Sequence, residues 1–311
     1  MPWNRVNTDS TSTRRRWWRP RPVHAVVASV AIGVMLASGL TATGASLSAL
    51  SNCSDVTFIA AIGSGEKYYG PTDITDASAE LANVYRAFVA RLGTRRSYQP
   101  LVIDYPALPV GVLFAGSNFA AKVINILTTN IPTYLNGKND GVRALWSAFE
   151  TTRASCPNER IVLAGYSQGA MVVHQFLEEL NATRDSASKA AVRGVILLAD
   201  PDRVKHSSIV DFGNAPFSGY GACDVVSHFV SCTAPDPLTD IPGRFQSVTI
   251  GVCTYEDPVC DTSDFIPDWL FNTSAGRKQL VARVERIHSS YSYTIEPRLA
   301  GQRIAQLVLA R

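Results

Sequence analysis

One short segment limits the fold of this chain more than any other. The sequence Gly-Tyr-Ser-Gln-Gly at residues 165–169 follows the apolar run 161–164 and precedes residues 170–177, whose apolar positions have helical spacing. In a strand–turn–helix unit of this type, the turn exposes the central serine. Both glycines are needed, because the turn requires strained backbone angles and close contact between helix and strand. The pattern makes Ser167 a candidate nucleophile at a helix N-terminus, which favours negative charge. A glycine-rich structural turn is the alternative.

Apolar runs and helical stretches alternate along the chain. Five apolar runs are candidate strands, namely residues 56–62, 101–105, 161–164, 194–198 and 247–252. Helical spacing of apolar residues occurs in segments 75–92, 141–152, 171–180 and 301–310. Strands that alternate with helices in this way form a parallel sheet. The sequence therefore predicts an α/β fold with a central five-stranded, mostly parallel sheet and helices on both faces.

A nucleophilic serine needs an imidazole as base and a carboxylate that orients the imidazole. In α/β-hydrolases the chain order is serine, acid, histidine. Asp257 follows the last predicted strand, at the sheet edge where catalytic groups gather, and Glu256 is the alternative acid. Only His288 follows Asp257 in the chain, so it is the predicted base, with an exposed loop histidine as the alternative. His206 and His228 are predicted to be surface groups.

The chain has six cysteines, and sequence alone permits many pairings among them. Proximity along the chain favours the disulfides Cys223–Cys232 and Cys253–Cys260. The two remaining cysteines would then form Cys53–Cys156. A zinc site would need paired cysteines and histidines at ligand spacing, which this sequence lacks. Disulfides rather than a metal site are therefore expected, as in exported proteins.

The N-terminal residues 1–45 have the pattern of an export signal. An arginine cluster at 14–16 precedes the uncharged apolar run 25–40, and small residues at 43–45 offer a cleavage site. The arginines are compatible with twin-arginine export, and an uncleaved signal anchor is the alternative. The prediction is a secreted protein, or one associated with the cell envelope, with one domain at residues 46–311.

The charge of the chain argues against nucleic-acid binding. Net charge is +3 over the full sequence, and several of the arginines lie in the predicted signal. The remaining part is then near neutral or slightly acidic. About 265 residues remain without the signal, enough for one α/β domain with a substantial core. We expect a monomer.

Three segments together resemble the cutinase family. Residues 165–170, preceded by Cys-Pro at 156–157, are similar to its nucleophile segment. The spacing Cys-x3-Asp-x2-Cys at 253–260 resembles its acid loop, with the aspartate inside a small disulfide. Residues 53–59, followed by Gly-Ser-x-Glu at 63–66, resemble its first strand and oxyanion loop. The resemblance extends from about residue 53 to the C-terminus.

The resemblance implies a secreted serine ester hydrolase with an α/β-hydrolase fold, either a carboxylesterase or a cutinase-like lipase. Its substrate would be a lipid-like or polyester-like ester, and no metal or organic cofactor would be required. The oxyanion would be bound by the backbone N–H of Gln168 and by the N–H and hydroxyl of Ser64. Acetylxylan esterase, thioesterase and a non-catalytic envelope protein are the alternatives.

The sequence departs from fungal cutinases at two places near the site. Fungal cutinases carry an arginine where this chain has Ile62, and Gly65 is expected to loosen the oxyanion loop. The segment 201–245 is also long for a minimal cutinase. Residues 107–114, after the second predicted strand, line an acyl groove or belong to the ordinary core.

Overall fold

The structure is a computed structural model that describes residues 53–109, 131–227, 232, 238–262 and 274–310. These residues belong to one unit of the chain, Ser48–Arg311. The predicted export signal at 1–45, His228 and residues 110–114 of the predicted groove lie outside the described residues.

The described strands form one parallel sheet in the order β2-β1-β3-β4-β6-β5. They are β1 (Val56–Ala61), β2 (Tyr98–Val102), β3 (Arg160–Tyr166), β4 (Val192–Leu198), β5 (Val210–Asp211) and β6 (Thr249–Val252). The prediction of five strands was wrong by one, because β5 has only two residues, both exposed, and no apolar run. Strand β2 also begins earlier than predicted. It lies at the sheet edge, where exposed and half-exposed side chains weaken the apolar signal.

The described helices are α1 (Ile74–Ala77), α2 (Ala79–Leu92), α3 (Ile131–Ser155), α4 (Gln168–Ala182), α5 (Ser186–Ala191), α6 (Ala222–Val226), α7 (Gly243–Gln246), α8 (Ser274–His288) and α9 (Ile295–Ala310). The predicted helix 75–92 is divided at Ser78, whose extended backbone and side-chain bond to the N–H of Leu81 begin α2. Helix α8 was not predicted, since its sequence is rich in charged residues. His288 is therefore the last residue of a helix.

Helices cover both faces of the sheet, as predicted. Helix α9 packs against α2 and against strands β4 and β6, whereas α3 packs against α4, and α4 packs on β1 and β3. The side chains of β1 are buried along its whole length, and those of β3 and β4 nearly so. Strands covered on both faces have continuous apolar sequences, which is why these three were found from the sequence.

The parallel sheet brings distant parts of the chain to one edge. All carboxyl ends of parallel strands lie at the same side of the sheet. Ser64 follows β1, Ser167 follows β3 directly, and Asp257 follows β6. The topology therefore places these predicted site residues along one edge.

Candidate active site

Ser167 lies in a strained turn between β3 and α4. Its φ is 54° and its ψ is −118°, in the left-handed region that non-glycine residues avoid. A Cβ on Gly165 would lie 2.2 Å from the carbonyl oxygen of Gly169. A Cβ on Gly169 would lie 2.0 Å from the carbonyl oxygen of Ala61 on β1. Both glycines are thus required by backbone contacts, and the strained turn is held by its neighbours.

The three predicted residues of the triad form one continuous series of hydrogen bonds. Oγ of Ser167 lies 3.0 Å from Nε2 of His288. Nδ1 of His288 lies 2.9 Å from Oδ2 and 3.1 Å from Oδ1 of Asp257. An ionised carboxylate only accepts hydrogen bonds, so Nδ1 carries the proton and Nε2 accepts from the serine hydroxyl. Both Ser167 and Asp257 are buried.

The alternative acid has a different partner. The carboxylate of Glu256 lies 2.6 Å from the guanidinium of Arg283 on helix α8. The structure therefore brings Asp257, and not Glu256, to the imidazole. His206 is exposed and packs against Phe217, away from this site.

The Asp257 carboxylate is surrounded by donors. The hydroxyl of Tyr291 lies 2.8 Å from Oδ2, and the N–H of Val259 donates to Oδ1 at 3.1 Å. The Cys253–Cys260 disulfide closes the loop around the aspartate. Tyr291 was missed by the sequence analysis. It lies 34 residues after Asp257, so no local pattern in the sequence indicates the contact.

Neighbouring residues determine both the position and the pKa of the His288 imidazole. Burial alone would lower the pKa of the imidazole, but the charge of Asp257 and its hydrogen bond outweigh burial, and the pKa lies above its ordinary value. The ring of Tyr166 stacks on the imidazole at 5.1 Å between centroids. The Tyr166 hydroxyl donates to the carbonyl oxygen of His288 at 2.8 Å. Strand β3 thus fixes His288 as well as Ser167.

The predicted oxyanion loop at residues 63–66 has anchors that the sequence analysis did not find. The hydroxyls of Ser64 and Tyr134 lie 2.7 Å apart, and the N–H of Gly65 donates to the carbonyl oxygen of Ala107 at 2.8 Å. A carboxyl oxygen of Glu66 accepts a hydrogen bond from the N–H of Gly63. These contacts hold residues 63–66, although Ile62 supplies no polar side chain there.

Gln168 begins helix α4 directly after the serine. Its side-chain Nε2 donates to the carbonyl oxygen of Tyr134 at 3.0 Å, and the residue is completely buried. Backbone N–H groups in the first turn of a helix have no partner within the helix. The N–H of Gln168 therefore belongs to the group of donors at this helix end.

A family model described as Cutinase matches residues 52–284. The chain belongs to the cutinase family. The parallel sheet with helices on both faces has the α/β-hydrolase fold, as in cutinase-like solved structures.

Curated relatives of this cutinase family member match over part of their length. A cutinase from Coprinopsis cinerea is 33% identical over 113 residues, which are 36% of this chain and 44% of the relative. A carboxylesterase from Mycobacterium tuberculosis is 28% identical over 147 residues, which are 46% of this chain and 55% of the relative. The chain spans about half the length of these relatives.

Solved structures share the cutinase fold over most of their length. A cutinase-like protein from Cryptococcus sp. has a TM-score of 0.51 at 22% identity, covering 82% of this chain and 95% of that one. The catalytic core of an acetyl xylan esterase from Trichoderma reesei has a TM-score of 0.51 at 18% identity, covering 83% and 99%. At these identities the likeness shows the fold alone.

This cutinase family member has a buried cluster of charged side chains that includes His174 of helix α4. Potential ligand atoms of His174, Asp200 and Asp202 lie within 4.8 Å of one another. However, Nδ1 of His174 lies 2.8 Å from Oδ2 of Asp200, and Nε2 lies 3.1 Å from the carbonyl oxygen of Thr239. Both nitrogens therefore donate. Burial opposes the charge, but Asp200 raises the pKa of His174 to about 9. His174 and Asp200 thus form a buried ion pair in which neither imidazole nitrogen offers a lone pair to a metal. The ammonium of Lys138 donates to the carbonyl oxygen of Cys232 at 2.7 Å, and the carboxylate of Asp202 acts on it electrostatically.

The described part of this cutinase family member holds disulfides at the three predicted pairs, Cys53–Cys156, Cys223–Cys232 and Cys253–Cys260. The first pair lies near Glu159 in a group with metal-ligand spacing, but its sulfurs are bonded to each other. Three disulfides fit a protein of an oxidising, extracytoplasmic environment. Among the described helices, none combines the length and apolar character needed to cross a bilayer.

Proposed function

We propose that this protein is a serine ester hydrolase in which Ser167 is the nucleophile, His288 the base and Asp257 the acid. The observation that supports this most is the unbroken hydrogen-bond series from the Ser167 hydroxyl through the imidazole to the Asp257 carboxylate. It lies at the carboxyl edge of the sheet, with the serine on a strained turn. The cutinase family relationship supports ester chemistry.

The geometry suits acylation of the serine. Nε2 of His288 takes the hydroxyl proton as Oγ bonds to the ester carbonyl carbon. The resulting imidazolium is stabilised by the buried carboxylate of Asp257. When the tetrahedral intermediate collapses, the imidazolium gives its proton to the leaving alkoxide and the acyl-enzyme remains. A water molecule then attacks the acyl carbon while His288 takes its proton. When this second intermediate collapses, the bond from carbon to Oγ breaks, the imidazolium returns the proton to Ser167, and the carboxylic acid product leaves.

The oxyanion of each tetrahedral intermediate needs preorganised donors. We assign the backbone N–H of Gln168 and the N–H and hydroxyl of Ser64 to this role. For the Ser64 hydroxyl to donate to the oxyanion, its oxygen accepts from the Tyr134 hydroxyl, at 2.7 Å. Tyr134 thus orients the proton of Ser64.

The substrate class and setting follow from the same family relationship. The curated relatives are a cutinase and a carboxylesterase, so a carboxylic ester of lipid or polyester type is the proposed substrate. The mechanism needs no metal or organic cofactor. The disulfides support secretion or association with the cell envelope. We propose that the enzyme acts as a monomer.

Ser167→Ala tests the proposal. Hydrolysis of p-nitrophenyl butyrate should fall by about 10⁴–10⁶-fold in kcat, the scale of triad deletions. The fold should remain, because alanine differs from serine only by the hydroxyl, and circular dichroism with a melting curve checks this. A folded variant within tenfold of the parent would contradict the nucleophile assignment.

Two further measurements separate the alternatives. A fluorophosphonate probe should label the parent and not Ser167→Ala, whereas a non-catalytic scaffold would leave both unlabelled. A series of p-nitrophenyl esters from acetate to palmitate, with acetylated xylan, an acyl thioester and a polyester film, identifies the preferred ester. Preference for acetylated xylan or the thioester would replace the lipid or polyester assignment.

A further inference from the structure

The buried carboxylate of Asp257 has a second side-chain partner besides the imidazole. The hydroxyl of Tyr291 lies 2.8 Å from the same oxygen, Oδ2, that lies 2.9 Å from Nδ1 of His288. Tyr291 is completely buried. Its hydroxyl also lies 2.9 Å from the backbone nitrogen of Thr254, at the start of the acid loop.

The direction of these bonds follows from their partners. The N–H of Thr254 only donates, so the Tyr291 oxygen accepts it. An ionised carboxylate only accepts, so the Tyr291 proton points at Oδ2 of Asp257. The hydroxyl therefore joins the backbone of the acid loop to the acid itself, and Oδ2 is shared between the phenol and the imidazole.

We propose that Tyr291 is a positioning residue of the triad, whose hydroxyl orients the Asp257 carboxylate toward His288 and shares the negative charge on Oδ2. This inference rests on the proposed function. Since a carboxylate can rotate about its bond to Cβ, two donors on Oδ2 and the Val259 N–H on Oδ1 hold one rotamer. The phenol withdraws charge from the oxygen that faces the imidazole.

The shared charge predicts a direction for the pH dependence. Other groups act on His288 besides the phenol. They are the carboxylate of Asp257, the more distant charge of Glu80 on α2, and the stacked ring of Tyr166 on β3. Glu80 and Tyr166 do not change when the phenol is removed, so the effect acts through Asp257. Without it, Oδ2 carries more charge, the imidazolium is better stabilised and the pKa of His288 rises further.

Tyr291→Phe keeps the ring and removes the hydroxyl. The acid limb of the kcat/KM profile should move to higher pH by about 0.5–1 unit, and kcat on the plateau should fall by about tenfold because the carboxylate is less well held. A limb that stays in place or moves to lower pH would overturn the inference, as would a plateau kcat within twofold of the parent.

A control variant separates this effect from a structural one. The side-chain nitrogen of Asn83 donates to the backbone carbonyls of Tyr291 and Thr294, at 2.9 and 3.1 Å, without touching the acid. Asn83→Ala should lower the melting temperature and leave the acid limb in place. An equal shift of the acid limb in Asn83→Ala would mean that displacement of the backbone around Tyr291 causes the shift. That result would overturn the role of the Tyr291 hydroxyl.

A second substitution preserves the bonding pattern in case the phenylalanine variant does not fold. Placing 3-fluorotyrosine at position 291 makes the phenol more acidic and a stronger donor, so the acid limb should move to lower pH. An unmoved limb would overturn the inference. If Ser167→Ala loses activity while both Tyr291 substitutions leave the limb in place, only the positioning role fails. An active Ser167→Ala variant would refute the proposed function itself.

Discussion

The small disulfide around the acid should matter more for catalysis than for stability. Cys253–Cys260 joins residues seven apart in sequence, whereas Cys53–Cys156 joins residues 103 apart. In the chain-entropy model these loops stabilise the folded state by about 2.5 and about 4.7 kcal/mol respectively. Loss of the small loop should therefore cost about half as much stability as loss of the long one.

The catalytic cost has the opposite order. Asp257 lies inside the small loop, where its backbone N–H bonds to the carbonyl oxygen of Thr254 at 3.0 Å and its carbonyl oxygen accepts from Cys260 at 3.1 Å. Without the disulfide, non-covalent contacts alone restrain the loop, among them the bond with Tyr291 and the ion pair of Glu256 with Arg283. A displacement of about 1 Å at the acid can reduce the rate by about a hundredfold. We expect kcat/KM to fall by about ten- to a hundredfold.

The comparison needs two double variants. The first carries Cys253→Ala with Cys260→Ala, and the second carries Cys53→Ala with Cys156→Ala. Alanine is preferred to serine because three of these cysteines are buried and a hydroxyl there would need a partner. Melting temperature and kcat/KM on p-nitrophenyl butyrate are measured for both. Full activity in the first variant, or a greater loss of melting temperature than in the second, would refute the reasoning.

His288→Ala should lose as much activity as a variant without the serine hydroxyl, whereas His206→Ala should keep most of it because His206 is exposed and away from the site. Initial rates check both, and a folded but inactive His206→Ala would contradict the assignment of the base. Tyr134→Phe should lower kcat by about tenfold with little change in KM, because the hydroxyl that orients the oxyanion donor is lost. An unchanged kcat would argue against that orientation. Burial raises the pKa of Glu66 from 4.5 to about 8, so its contribution to stability is present below pH 4.5 and is lost as the pH rises through about 8. Melting temperatures of Glu66→Gln should decline less over this pH range than those of the parent, and parallel curves would contradict the raised pKa of Glu66.

The sequence predicted the parts of the fold that are buried on both sides. Strands β1, β3 and β4 have continuous apolar runs because helices cover both faces of the sheet. The exposed two-residue strand β5 and the charged helix α8 gave no comparable signal. Apolar periodicity in a sequence indicates which side chains are buried. Elements that bury few apolar side chains are therefore recognised only in the structure.

The candidate site was predictable where chain order or a short motif restricts the choice. Ser167 stands in a motif, and only one histidine follows Asp257. The tyrosines could not be assigned in this way. The Tyr134–Ser64 contact joins residues 70 apart, and the Tyr291–Asp257 contact joins residues 34 apart. Such pairs depend on where two elements meet, which no local pattern encodes.

The turn that carries Ser167 depends on two strands, because it follows β3 and packs against β1. Ala61 of β1 is paired in register with Gly165, and its carbonyl oxygen occupies the space that a side chain on Gly169 would need. The sequence of residues 165–169 alone therefore does not determine the strained conformation of Ser167. Grafted onto another strand–helix unit, it would leave the serine in an ordinary turn unless the neighbouring strand were transferred with it. A redesign of this site must therefore keep Ala61 and the two glycines as one unit.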